Sequence, residues 1–296
     1  MSLDRIYVCC HKGDFRFAKI CVASIQRWHP EVPVTVLIDT YRGSFSTAEL
    51  RNIRNVSVQF SDQPFGGPFL KLLPLVQNNR ERFLVLDADT CLVKRIPMSI
   101  LDTAADFIGH PSVDPGADTI VPIYFDIEKL QKFDPDYTYP GFYVNTGQFF
   151  GTSGIITREL LDQFVDWDAR PVQVKDRNLF RLNEECLLNY LWIALSKKNA
   201  LTFAVADFWH WSENLTDIHS ANLPIVHWAG ITVPRLSQMK HANYLAVLEK
   251  EFYSSLPFGS LRRNIAAFRF SVRRYLRQAR VGFNKWRKKN SEPAHK

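Results

Sequence analysis

Four short apolar runs, Arg5–Cys10, Val34–Ile38, Val56–Phe60 and Phe83–Leu86, are each separated by enough chain for a helix. A run such as Phe83–Leu86, apolar at every position, is what a buried parallel strand looks like. The segment at about 14–28 places Phe15, Phe17, Ile20, Cys21, Ser24, Ile25 and Trp28 at helical spacing. A further helix has Thr47 near its start, and Phe69–Val76 reads as another after the break at Gly66-Gly67-Pro68. Strand and helix alternating at this spacing predict a mostly parallel sheet with right-handed crossovers. Farther on, the pattern predicts strands at Gly147–Gly151, 201–206 and 224–227, with helices near 157–167 and 183–196. The expected fold class is α/β, a single Rossmann-like domain over residues 1–255 followed by a helical tail, 256–296.

The fourth run ends abruptly in Asp87-Ala88-Asp89. In open α/β sheets ligands bind beyond the carboxyl ends of the strands, so both carboxylates stand where a site is expected. Two aspartates at i and i+2 can reach one hard cation, and Mg²⁺ and Mn²⁺ share oxygen ligands with substrate phosphates. Taken alone, the pair also fits a solvated strand-to-loop junction.

Charge divides the chain unevenly. Of a net +7, residues 261–296 hold 12 Lys+Arg against one acid, while the remaining 260 residues hold 25 against 29. The basicity is a property of the tail, so a nucleic-acid-binding body is not indicated. In the tail, Leu261, Ile265, Phe268, Val272, Leu276, Ala279, Phe283 and Trp286 follow one another by three or four residues and line one helical face. Arginines and lysines fill the rest. A basic amphipathic helix with aromatic residues is expected to lie on an anionic membrane surface through residues 261–289; docking on the body and a nucleic-acid arm are the competing readings.

No run of 18 apolar residues occurs, and the start lacks the pattern of a signal peptide. The five cysteines have no metal or framework spacing, so buried free thiols and a cytoplasmic address are expected. The proline-, aspartate- and tyrosine-rich stretch 111–141 reads as an ordered wall of a cleft.

Several segments in order carry a family resemblance: Phe69-Leu70-Lys71-Leu72-Leu73-Pro74, Phe83–Val93 with its Asp-Ala-Asp, Phe142-Tyr143-Val144-Asn145-Thr146-Gly147, Asn183-Glu184-Glu185-Cys186-Leu187-Leu188-Asn189 and Val226-His227-Trp228-Ala229-Gly230. Over roughly residues 3–235 the chain resembles the GT-A glycosyltransferases, glycosyltransferase family 8 and related bacterial sugar transferases above all.

The resemblance implies a transferase that uses a nucleotide sugar, UDP-linked by preference, with Mn²⁺ or Mg²⁺ and a glycan or glycolipid acceptor. Asp87 and Asp89 match the family's metal-binding Asp-x-Asp, and His227 matches the histidine that completes it. Lys71 matches a basic residue that reaches the donor. Asn145 and Gly147 match the Asn-x-Gly segment at the sugar. Glu184 and Glu185 match an acidic stretch at the reacting carbon, where the family usually carries Asp-Gln; the catalytic role falls to one of the two, with Glu184 preferred. Cys10 and His11, after the first strand, lie where the nucleotide base would rest, and Asp39 could accept from base or ribose. Trp209-His210-Trp211 reads equally as an acceptor platform or as core.

With the tail, these features describe an enzyme peripheral to the inner face of a membrane. Two rivals are a haloacid-dehalogenase-like phosphatase, whose motif needs threonine where this chain has Cys91, and a membrane-bound sugar-binding protein without turnover.

Overall fold

A computed structural model describes residues 3–61, 65–113, 126–228, 236–269, 271–272 and 275–276. Strands β1 (Arg5–Cys10), β2 (Val34–Ile38), β3 (Val56–Phe60) and β4 (Arg82–Asp87) form where the apolar runs predict them. Strands β5 (Thr90–Leu92), β6 (Phe107–Gly109), β7 (Pro111–Val113), β8 (Phe142–Val144) and β9 (Gln148–Thr152) follow. Then come β10 (Val165–Asp166), β11 (Gln173–Val174), β12 (Phe203–Val205), β13 (Trp209–Trp211) and β14 (Ile225–His227).

Seven strands make the central sheet in the order β12-β6-β9-β4-β1-β2-β3. It is parallel except for β9, which runs antiparallel to both β4 and β6. The strand centres are fully buried, with Ile6, Val8, Val36, Leu84 and Val85 at zero exposure, because helices cover both faces. The Phe15–Trp28 helix packs its Ile20, Cys21, Val22 and Ile25 face into one core layer. The Glu184–Lys197 helix buries Leu187, Leu188, Leu191 and Trp192 in the other.

A smaller sheet, β13-β14-β5, builds the site edge. Once the chain passes Asp87 it leaves the central sheet, and β5 pairs antiparallel with β14 so that Thr90 lies opposite His227. That register brings the distant His227 beside the Asp-x-Asp.

Three elements differ from expectation. The Phe69–Val76 segment is a 3₁₀ helix over Gly67–Leu72, since Pro68 opens it and Pro74, lacking an N–H, cannot extend it as an α-helix. The helix expected near 157–167 is one turn, Arg158–Leu161, after which the chain enters the β10–β11 hairpin. The helix Ala242–Ser254, absent from the expected elements, packs against Phe15–Trp28 and is fastened by the Arg16–Glu249 pair at 2.6 and 2.9 Å.

Of the proline-rich stretch, residues 126–141 include a helix, Ile127–Phe133, whose end packs on the Glu184–Lys197 helix: Tyr190 donates to Asp134 at 2.8 Å. No described residue of 111–141 lines the site cavity; residues 114–125 lie outside the described residues. All five cysteines are buried. Among the described residues no helix is long and apolar enough to cross a membrane.

Candidate active site

At the carboxyl ends of β1, β2 and β4 lies a cavity of about 410 Å³. Asp87 and Asp89 stand at one edge. One ligand atom from each of Asp87, Asp89 and His227 falls within 4.8 Å of the others, the spacing that one cation could bridge. His227 is 4% exposed and its Nε2 lies 3.4 Å from Asp89 Oδ1. Its ring stacks on Trp211 at 4.8 Å, and Trp209 is buried behind. The Trp-His-Trp segment therefore supports His227 on one side and belongs to the core on the other. Two carboxylate oxygens and one imidazole nitrogen suit a divalent cation of the Mn²⁺ type, since carboxylates fit Mg²⁺ and Mn²⁺ and imidazole favours transition metals.

Gly147 makes this corner possible. A Cβ on Gly147 would come within 2.8 Å of Asp87 Oδ2 and 2.9 Å of the His227 ring. The Gly147 carbonyl accepts from the Asp87 amide at 2.7 Å, and its own amide donates to Asn145 Oδ1 at 2.8 Å. Asn145 and Gly147 thus adjoin the Asp87 corner without lining the cavity. Asn189 holds this segment in place: its carboxamide bonds both the Val144 amide (2.7 Å) and carbonyl (2.8 Å).

Lys71 is buried between two acids. Its Nζ lies 3.2 Å from Asp87 Oδ1 and 3.5 Å from Glu184 Oε1. Burial works against its charge, but Asp87 and then Glu184 outweigh it and raise the ammonium above the usual lysine range. Glu184 is itself buried and accepts from Thr146 Oγ1 at 3.3 Å. Burial raises the Asp87 and Glu184 carboxyls, while Lys71 pulls both back. Both glutamates line the cavity at the first turn of their helix, where the backbone dipole favours negative charge.

Glu185 differs from its neighbour. One of its oxygens is buried with no hydrogen-bond partner among the described residues, and burial, then the adjacent Glu184, pushes its carboxyl up to about 7. The folded chain thus holds this proton up to about 7 while the unfolded chain releases it near 4.5. Because the folded state binds more protons in that window, stability falls as pH rises across it. Glu185→Gln is expected to stabilise the metal-free protein by about 2 kcal/mol at pH 8 and hardly at pH 4. Calorimetry in chelator at both pH values checks this; an equal shift at both contradicts it.

On the far side, Cys10, His11 and Asp39 line the cavity, together with Cys9. Burial raises both thiols well above the ordinary range. His11 pairs with Asp14 at 3.0 Å, a hydrogen bond that raises its imidazole. The fully buried Asp39 accepts from the amides of Tyr41 (2.8 Å), Arg42 (3.3 Å) and Gly67 (2.7 Å). Its oxygens are engaged in tying the β2 loop to the Lys71 segment.

Sequence reasoning missed Asp14, Arg42, Arg181 and Asn183, all of which line the cavity. Asp14 alone had a signal, as an acid just before a helix start. Asn183 has φ 53° and ψ −118°, a backbone region that costs a residue with a side chain about 1–3 kcal/mol.

The fold has solved counterparts. An active-site mutant of LgtC is 13% identical, with 82% of this chain and 94% of that chain covered and a TM-score of 0.54. The galactosyltransferase LgtC in complex with donor and acceptor sugar analogues is 12% identical, with coverages of 88% and 99% and a TM-score of 0.50. The bifunctional glycosyltransferase WbbM is 13% identical with a TM-score of 0.56; the match takes 86% of this chain and 52% of that one. This chain has a GT-A-type glycosyltransferase fold. At these identities the likeness is one of fold, and family 8 in particular rests on the order of motifs alone. No protein-family model and no curated protein matches the sequence.

Proposed function

We propose that the protein is a metal-dependent glycosyltransferase that moves a sugar from a UDP-sugar to a glycan or glycolipid acceptor at the inner face of a membrane. The observation that carries the reading is the convergence of Asp87, Asp89 and His227 on one point, with Lys71 and two glutamates facing the same cavity. The LgtC counterpart was solved with donor and acceptor sugar analogues, and the cavity here stands at the strand ends where such a donor would bind.

Asp87, Asp89 and His227 would hold Mn²⁺. When bound, the ion supplies charge to offset that of the departing nucleoside diphosphate. Lys71 adds a fixed cation beside Asp87 at no reorganisation cost, since both neighbouring acids already hold it. Glu184 orients Lys71. Glu185 offers an oxygen to the sugar. The turn at His11 and the Asp39-braced loops enclose the nucleotide end.

A thermal-shift panel of UDP-, GDP-, ADP- and CMP-linked sugars with Mn²⁺ tests the reading. A UDP-sugar should raise Tm most, and only in the presence of the cation. No shift with any nucleotide sugar would contradict it, and binding without turnover would leave a sugar-binding protein.

The tail supports the membrane part. Residues 259–269 are helical, and Leu261, Ile265, Phe268, Val272 and Leu276 are all exposed, Phe268 at 70%. The helix meets the body through another face, with Arg263 at 3.6 Å from Glu249 and Ala266 on the core. An apolar stripe flanked by arginines and turned away from the body suits an anionic lipid surface. Ala279, Phe283 and Trp286 lie outside the described residues. Deleting residues 261–296 should lower binding to anionic vesicles at least tenfold, given about 1 kcal/mol per basic residue near such a surface. Transfer to a soluble acceptor should survive. Sedimentation with vesicles at rising salt should show weakening as charges are screened; equal binding to neutral vesicles would contradict the reading.

A further inference from the structure

Two residues at the start of the Glu184–Lys197 helix, where it borders the cavity, carry an acceptor without a donor. Asn183 Oδ1 and Glu185 Oε1 are both buried, and among the described residues neither meets an N–H or O–H. Both residues line the cavity. Buried polar atoms normally have partners, so two orphan acceptors on residues that line one cavity point to a ligand that donates hydrogen bonds once it is seated there. A sugar, with a hydroxyl on nearly every carbon, is such a ligand.

Asn183 adds a second observation. Its φ of 53° with ψ of −118° is a combination that glycine reaches freely and asparagine only under strain. Asparagine tolerates the left-handed helical region, but its ψ there is positive. The turn into the helix accounts for the backbone and would be made more easily without a side chain. It does not account for a carboxamide whose oxygen is buried and idle.

The position is also right. Glu184, the next residue, reaches Lys71 at 3.5 Å, and Lys71 reaches Asp87 at 3.2 Å. A group bound beside Asn183 therefore lies near the corner where a donor diphosphate would be held.

We propose that Asn183 is a sugar-recognition residue: its carboxamide oxygen accepts a hydroxyl hydrogen of the donor hexose, beside the second acceptor on Glu185. This rests on the donor reading given above. The backbone strain is then the cost of presenting that oxygen.

Asn183→Gly separates the two roles, because glycine keeps the turn and deletes only the carboxamide. Calorimetric titrations with UDP, UDP-glucose and UDP-galactose, each with Mn²⁺, should be run on the wild type, Asn183→Gly and Asn183→Ala. The glycine variant should melt at a higher temperature than wild type. It should bind UDP within twofold of wild type, yet bind the UDP-hexose that wild type prefers at least tenfold more weakly. Asn183→Ala should show the same loss for the hexose without the gain in Tm. Unchanged UDP-hexose affinity in Asn183→Gly would overturn the inference, as would an equal loss for UDP, which marks a purely structural role. Should wild type bind none of the three, the donor reading itself fails and takes this inference with it.

Discussion

Replacing Asp87 or Asp89 by alanine is expected to lower transfer at least a thousandfold, on the order of 4 kcal/mol of transition-state stabilisation. Each aspartate offers an oxygen to the same point as His227, so losing either leaves a two-ligand site. Asp87 carries more than metal affinity. It is also a counter-charge for Lys71, at 3.2 Å from its ammonium, so Asp87→Ala should shift Lys71 as well as the cation. Asp89→Ala, by contrast, should be partly relieved by excess Mn²⁺. Steady-state rates over a Mn²⁺ titration distinguish the two. Full rates in either variant would remove these carboxylates from the chemistry.

Lys71→Met is expected to be the most damaging change to the fold itself. The substitution keeps an unbranched apolar side chain of similar length but leaves the half-buried Asp87 and the buried Glu184 without their cation. Removing one partner of a buried pair costs about 3–5 kcal/mol. Both carboxyls already sit above their ordinary range through burial, so protonation offers an escape at low pH. The loss should therefore be large at pH 8 and smaller at pH 5. The double variant with Glu184→Gln should recover part of it, a coupling that a double-mutant cycle reads directly. Denaturant melts at the two pH values check this, and a loss independent of pH would show that Lys71 matters through packing rather than charge.

Much of the central sheet is legible in the sequence because its inner strands are buried on both faces, while the edge strand Val56–Phe60 is partly exposed. Arg5–Cys10, Val34–Ile38 and Val56–Phe60 form with the bounds that their apolar runs suggest. The small sheet is not legible in this way. Strands of three residues carry too little pattern, and β5 pairs with β14 across more than a hundred residues, information that no local periodicity holds. The helix Ala242–Ser254 is a different case, since its buried Tyr244, Leu245, Leu248 and Phe252 do carry the helical spacing.

The site divides along the same line. Asp87, Asp89, His227, Lys71 and the glutamates could be named because motifs in order mark them, and the structure gathers them at one corner. The occupation of Asp39 by three backbone amides and the strained, idle Asn183 follow from loop geometry, which leaves no trace in residue spacing. Gly147 lies between: its motif marks it, but only the packing of Asp87 and His227 against it shows why a side chain cannot stand there.

The most direct test of a metal-dependent sugar transferase in this cavity is nucleotide release from a UDP-sugar by the purified full-length protein. It should be stripped with EDTA and then given Mn²⁺ back in steps. The account predicts no release after stripping, recovery that saturates with Mn²⁺, and a faster rate when a glycan acceptor is added. Undiminished release in EDTA, or none under any metal and with any UDP-sugar, would contradict it.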